Sequence, residues 1–535
     1  MCWLNVYLVR QALSIPFLGQ MHSMHGFWEA VGRWCGANGW LGVWIPNWLG
    51  GLPSEFAYAP MVPFLAAQFG SPVVCVIAFC VGPVALFALV WELTRKPFAA
   101  FFAAVLYSLC APTELLQPDG VFAWRHFLDA RRMYVTFVWD EAPHQMALAF
   151  VCLTVVAWSR GWRVAAVVSI ALAALASPFG ITGCALFGFC WLLALGWSQW
   201  RMVVSTAITG YLIVCPFYPP SLFAALRRNG ALAPESEWTA ASWVVLAVTL
   251  IVMLFLAAKK LPFFGLLAVL TSSIPILFYR FDLHFIDQPG RYKIEMELAL
   301  VAAAVVGACA LPQRFVRVFA VGALCFCTYQ TVQHRRFSKN SIKAADPAKT
   351  IEYRVAKWVE ANLPDETVYA AGSIAQWINR FGNVRQYGGG AYPTAINIEQ
   401  QKLYWSVLGE RSAEKVAEQL GAAGVGAIIV SGPKSPEFWK PYPRDVDVYG
   451  GKLPVLWSED DTTIYKITKR AGASGINAHP GWNAAGDEFG QLKVDLKSPV
   501  LRYEPTIENR ACVWISVLAM LYQIVATALA LRFRS

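Results

Sequence analysis

The chain has 535 residues, 57% of them hydrophobic and 15% charged, with a formal net charge of +10 and a mean hydropathy of +0.45. Soluble domains carry roughly 25% charged residues, so this composition excludes an ordinary soluble protein and reads as an integral membrane protein. The basic excess follows from membrane topology and gives no warrant for nucleic-acid binding.

Apolar runs approaching the ~20 residues that cross a hydrocarbon layer as a helix recur along the chain. Examples are "VVCVIAFCVGPVALFALV", "MALAFVCLTVVAW" and "LALVAAAVVGACAL". They predict about twelve spans, near residues 1–18, 73–93, 97–112, 143–159, 162–177, 179–197, 201–218, 240–258, 261–279, 294–311, 313–330 and 511–531. The first, "MCWLNVYLVRQALSIPFL", carries Arg10 and lacks a small-residue cleavage site, which favours a span, its upstream part open, over a removed signal peptide. Basic residues in short loops set the orientation. Arg95, Lys96, Arg160, Arg163, Arg201, Lys259, Lys260, Arg314, Arg317, Arg532 and Arg534 share one side, the cytoplasm, if the first span runs outward. The long loops 19–72 and 113–142 are then outside. Most of the 13 cysteines sit in apolar runs and none lies between Cys327 and Cys512, so they read as small buried hydrophobes rather than a disulfide framework.

The first outer loop opens with "GQMHSMHGFWEAVGRW". A helix here would place His22, His25 and Glu29 on one face, a set able to hold a divalent ion, Mg or Mn, or to supply a base; a wet polar face of an interfacial helix reads equally well. The stretch "WIPNWLGGLPSEFAYAPMVPF" follows, its Trp48, Glu55 and Tyr58 among aromatics. Such density suits a membrane-interface belt, or a lining that stacks on sugar rings or on a lipid-borne head group. In "FVWDEAPHQMALAF", Asp140, Glu141 and His144 could supply a base or bind a ligand, while acids and a proline at a helix start equally suit its dipole. "YRFDLHFIDQPGRYKIEME" places Arg291, a planar fork suited to phosphate, and Lys293 ahead of Glu295 and Glu297, which need cationic partners at the start of an apolar helix. A structural ion-pair network is the alternative there.

From His334 to about Pro505 the composition turns polar and alternates helical and extended patterns. "TIEYRVAKWVEANLP" and "SAEKVAEQLGAAG" predict helices, and "ETVYAAG", "VGAIIVSG" and "TTIYKITK" predict strands. "YGGGAYP" reads as a turn or a binding loop, and residues 471–498 as a linker or hairpin.

With these motifs in place, the layout resembles the polytopic lipid-linked-sugar transferases of the GT-C superfold. The resemblance is carried by "W-x-P-x-W-x-G-G-x-P" in the first loop, by "VWDEAPH", similar to a W-[GD]-E-x-P signature, and by "QPGRYKIEMELAL", similar to the YfhO-type or 6-pyruvoyl-tetrahydropterin-synthase-related membrane subgroup. It implies a mainly α, polytopic transmembrane bundle over 1–333, a small extracytoplasmic α/β domain over 334–508 and a closing helix over 509–535. It also implies transfer of one sugar, with inversion, from a polyprenyl-phosphate donor to a glycan, lipid or protein acceptor at the outer face of a bacterial inner membrane, both termini being cytoplasmic. In such enzymes an outer-loop carboxylate deprotonates the acceptor, and cationic groups or a metal hold the departing phosphate. Asp140 and Glu141 match the second acidic position and Arg291 the phosphate binder, with Lys293, His144, Glu55, Tyr58 and Trp48 as further substrate contacts. The family's Asp after the first span has no counterpart, since no Asp precedes Asp119; Glu29, with His25, or the Asp140/Glu141 pair would take its place. A non-catalytic relative that binds a lipid-linked glycan is the second reading. A transporter is the third, weakened by the lack of a convincing internal repeat.

Overall fold

The computed structural model describes residues 1–19, 24–48, 51–116, 130–230, 238–390, 398–440, 448–469 and 507–532. The described chain is mainly helical, and seven helices are long and apolar enough to cross a membrane: Ser71–Thr94, Ala142–Ser159, Trp197–Phe217, Ala240–Ala258, Phe263–Phe281, Gln313–Ser341 and Ile507–Ala528. Shorter apolar helices occupy Pro97–Leu109, Arg163–Ala176 and Phe179–Leu195, and Lys293–Ala308 forms another. Every predicted span but the first therefore coincides with a helix. At the first, the helix Cys2–Val9 has eight residues and gives way to a 3-10 turn, Arg10–Ser14. Eight residues rise only about 12 Å, and Pro16 biases Ile15 out of helical geometry.

The helices sort by what surrounds them. Ser71–Thr94 and Ala142–Ser159 are largely buried and form the middle of the bundle, whereas Ala240–Ala258 and Ile507–Ala528 expose most of their apolar surface, as helices facing lipid do. The basic loops gather at one end of the bundle. Arg95 and Arg160 both pair with Glu92, at 2.6 and 2.7 Å, and Lys96 Nζ donates to the Cys309 carbonyl at 3.3 Å.

At the opposite end the first loop folds onto protein. Its helix His25–Asn38 is followed by a two-residue antiparallel pair, β1 (Trp44–Ile45) with β2 (Leu52–Pro53), in register Trp44 to Pro53 and Ile45 to Leu52. Trp44, Trp48 and Phe56 are all 2% exposed or less. Irregular, proline-broken backbone at this depth is tolerated because it is covered by protein.

The α/β domain carries a five-stranded sheet in the order β4 (Arg385–Gln386), β3 (Thr367–Tyr369), β5 (Ala427–Ser431), β7 (Thr462–Lys466), β6 (Val455–Glu459). The β3 strand runs parallel to β4 and β5, and β7 antiparallel to β5 and β6. Asp460 and Asp461 both take positive φ, 47° and 58°, the backbone that a two-residue hairpin turn demands. The helices Ile351–Asn362 and Ala413–Ala422 are capped by Thr350 and Ser412 hydroxyls, so the two predicted helices and three predicted strands all fall where the pattern placed them. Residues 471–498 lie outside the described residues.

The domain is seated on the first long loop. Its helix Gly372–Phe381 crosses His25–Asn38 so closely that a Cβ on Gly26 would meet Trp377 Cδ2 at 2.6 Å. In "YGGGAYP", Gly389 has φ +65°, and a Cβ there would lie 2.5 Å from the Ala375 carbonyl oxygen and 3.0 Å from Trp48 Cδ1. These glycines form a seam between loop and domain; residues 391–393 of that motif lie outside the described residues.

Candidate active site at the mouth of the bundle

The short helix Arg131–Phe137 turns back into Ala142–Ser159 through Asp140, whose φ is +66°, a conformation that Asp tolerates better than most residues. The Glu141 N–H closes the turn on the Val135 carbonyl at 3.0 Å. Proline at the first turn fixes the start of the following helix. The reversal leaves Asp140 and Glu141 at the mouth of the bundle, the end opposite Glu92, Arg95 and Arg160. Asp140 Oδ1 accepts the Met24 N–H and so ties the mouth to the start of the outer-loop helix.

Glu141, His144 and Glu295 form a chain. His144 Nδ1 lies 3.2 Å from Glu141 Oε2, and Nε2 lies 2.7 Å from Glu295 Oε1. An ionised carboxylate only accepts, so a proton sits on each side of the imidazole, either on the ring nitrogen or on the carboxyl it faces. Phe179 stacks on the ring at 4.5 Å and 17°. Arg291 stands over the same Phe179 at 5.5 Å and places Nη1 3.7 Å from Glu141 Oε1, with 46% of its side chain exposed. Burial by itself raises the Glu141 carboxyl; Arg291, the His144 hydrogen bond and Arg131 outweigh it and hold the group below its ordinary range. Tyr58, from the first loop, lies in the field of Arg291, Glu141 and Asp140, close to Ser177. Lys293 is buried, its ammonium 4.7 Å from the centre of the Tyr279 ring.

A second buried network lies behind this cluster. Arg131 pairs with Glu114 at 2.9 Å and with Glu297 at 3.2 Å, all three side chains being 7% exposed or less. Arg132 donates to the Phe79 carbonyl and stands over the Phe79 and Tyr107 rings at 4.3 and 4.6 Å. Of the two acids at the start of the Lys293–Ala308 helix, Glu297 finds its cation in Arg131 and Glu295 is set against His144. The usable signal is "ARRMY": two adjacent arginines in an outer loop run against the orientation rule, and buried carboxylates are the reason to place them there.

The remaining expected residues face elsewhere. His25 is fully buried with Nε2 3.4 Å from Cys75 Sγ, and burial lowers its pKa to about 3, leaving it neutral. Glu29 accepts the Ser71 N–H at 3.1 Å and pairs with Arg380 of the α/β domain. Glu55, 2% exposed, accepts the Gly42 N–H at 3.2 Å and an amide N–H of Asn509, joining the first loop to the closing helix. Trp48 packs edge-on against Phe27 at 4.9 Å in the seam. His22 lies outside the described residues, and among the described residues no three His, Cys, Asp or Glu come together as a metal site.

No family model and no curated protein matches the chain. Solved structures do. The chain is similar to the arabinofuranosyltransferase AftD from Mycobacteria, at 12% identity and TM-score 0.48, over 88% of this chain and 40% of that one. It is also similar to the archaeal oligosaccharyltransferase AglB from Archaeoglobus fulgidus, solved with an inhibitory peptide and a dolichol-phosphate, at 13% identity and TM-score 0.41, over 80% of this chain and 68% of that one. The apo oligosaccharyltransferase of the same organism matches at 11% identity and TM-score 0.46, over 88% and 74%. The chain thus spans about two fifths of the mycobacterial protein's length.

Proposed function

We propose that the protein is a GT-C-like membrane glycosyltransferase that takes one sugar from a polyprenyl-phosphate donor at the extracytoplasmic face and passes it to an acceptor used in cell-envelope assembly. The observation that carries this reading is the meeting of Asp140, Glu141, Arg291 and Tyr58, drawn from three separate outer loops, at the end of the bundle opposite the basic loops.

In this reading Asp140 is the base. An acceptor hydroxyl attacks the anomeric carbon, the hydroxyl proton passes to the Asp140 carboxylate, and the carbon–oxygen bond to phosphate breaks with its electron pair leaving on the phosphate oxygen. Configuration inverts because attack and departure occupy opposite faces of the sugar. Arg291, half-exposed beside Glu141, presents the fork that receives the growing phosphate charge. Glu141 keeps Arg291 and His144 in place. A divalent ion, where one takes part, would draw on Asp140 and Glu141, because His25 and Glu29 are turned to Cys75 and Arg380.

Asp140→Asn should abolish transfer of labelled sugar in membranes while leaving donor binding. An Asp140→Asn, Glu141→Gln double variant with full transfer would overturn the assignment. The non-catalytic reading is favoured by the absence of Asp before Asp119 and by the engagement of Glu29 with Arg380; retained lipid-glycan binding with no turnover under any metal would select it.

A further inference from the structure

Between the outer-loop helix His25–Asn38 and the α/β domain lies a cleft of about 390 Å³, with Arg33, Trp34 and Asn38 on one wall and Glu360, Asn379 and Asn383 on the other. That volume falls within the roughly 300–1,000 Å³ of small-molecule sites. The floor is built from amides. Asn47 Nδ2 donates to Asn383 Oδ1 at 2.7 Å and to Asn379 Oδ1 at 3.3 Å, Asn379 Nδ2 returns to the Asn47 carbonyl at 3.0 Å, and the Asn383 N–H donates to Glu360 Oε1 at 2.9 Å. Two polar atoms of residues lining the cleft have no partner, Asn47 Oδ1 and Trp48 Nε1, on side chains 3% and 1% exposed.

The carboxylates at the cleft, Glu29 and Glu360, are each paired, and of its two arginines only Arg33 faces a backbone carbonyl rather than an acid, a single uncompensated charge. Arg380 pairs with Glu29, Glu360 pairs with Lys357 at 2.8 Å, and Arg33 Nη2 donates to the Arg380 carbonyl at 2.7 Å. A phosphate or polyanion would find no concentration of positive charge here. What the walls offer is amides, which donate and accept at once as sugar hydroxyls do, beside the half-buried rings of Trp34 and Phe381, which present apolar faces with polar edges. The same helix leads to the active-site candidate: the Met24 N–H binds Asp140, and Arg33 lies nine residues further on, about 14 Å along the axis.

We infer that this cleft binds a neutral oligosaccharide, the part of the acceptor glycan distal to the hydroxyl that reacts. The inference that the oligosaccharide is the acceptor rests on the transferase reading; the site itself does not. The test uses the full chain in lipid nanodiscs with a panel of neutral trisaccharides (manno-, gluco-, galacto- and arabino-) and a uronic-acid trisaccharide, followed by saturation-transfer NMR and titration. At least one neutral trisaccharide should bind, with affinity reduced at least tenfold in Asn383→Ala and in Asn38→Ala, which alter exposed or half-buried positions, and reduced similarly in Trp34→Ala. Asp140→Asn should bind it as the parent does. In transfer assays Asn383→Ala should raise KM for the acceptor and leave KM for the donor and kcat unchanged. Binding in a protein without any transfer would keep the cleft and discard the enzyme. Binding by none of the neutral sugars, binding of the uronic-acid sugar alone, or affinity unchanged in both asparagine variants would overturn the cleft, whatever the transfer assay shows.

Discussion

At the mouth of the bundle, polarity is carried by ionisable groups, each set against another: Glu141 against His144 and Arg291, and His144 against Glu295. In the seam beneath the α/β domain it is carried by amides, and the carboxylates present are paired off at the edges. The first arrangement can move protons and hold developing charge; the second can hold neutral polar groups in register. The contrast separates a place for chemistry from a place for recognition on one outer face.

The largest test of this contrast removes a charge at the mouth. Asp140→Asn should lower transfer by roughly 10²- to 10⁴-fold, the range for loss of a positioned base, with binding of neutral trisaccharide unaltered. Arg291→Ala should cost on the order of 10²-fold in kcat, and Arg291→Lys should recover only part of it, since an ammonium cannot form the planar two-point contact. Both are read from initial rates with labelled donor.

A smaller effect concerns stability. Arg131 compensates two buried carboxylates, Glu114 and Glu297, and removal of one partner of such a group costs about 3–5 kcal/mol. Arg131→Met should therefore lower the detergent-solubilised melting temperature by several degrees. A variant that melts with the parent would mean that the network carries no stabilising charge.

The smallest effect is in the α/β domain. Glu437 is buried there, its Oε1 accepting the Ile374 N–H at 3.1 Å. Burial, and then the neighbouring Glu352, push its carboxyl up to about 7, against the opposing pull of Ser431, Ile374 and Lys440. The folded carboxyl keeps its proton across a range, from 4.5 to about 7, in which the unfolded one has lost it. Its contribution to stability is thus complete at acid pH and is lost as pH rises through about 7. Glu437→Gln should flatten the decline in domain stability between pH 5 and 8, by up to about 3 kcal/mol, as followed by thermal unfolding at each pH.

The bundle was legible because a membrane helix needs a long apolar run and little else. The α/β elements were legible because Thr350 and Ser412 cap their helices, β5 is a short apolar run, and β7 is built from β-branched and aromatic residues. The mouth was legible in part: Asp140, Glu141, His144 and Arg291 each announce themselves as charge beside an apolar helix, yet nothing local says that Tyr58 and Ser177 join them. The partners that redirected the other candidates lie far off in sequence. Glu29 meets Arg380, Glu55 meets Asn509, and Asn47 meets Asn379 and Asn383. A helical face can be read from spacing, but what covers that face cannot. The first predicted span is helical from Cys2 to Ser14, as α-helix and then 3-10 turn, and Pro16 marks its downstream limit.

The helix Gln313–Ser341 leaves the apolar bundle and enters the polar domain without interruption, 29 residues in one piece, or about 44 Å of rod. The segment after it is stitched to the first loop by the Leu18–Ala344 bridge and by the Gly19 N–H on the Lys343 carbonyl at 3.1 Å. A strut of this kind holds the start of the α/β domain at a set height on the bundle. Under the proposed reading, the length of the acceptor, rather than any swing of the domain, decides which of its hydroxyls arrives at Asp140.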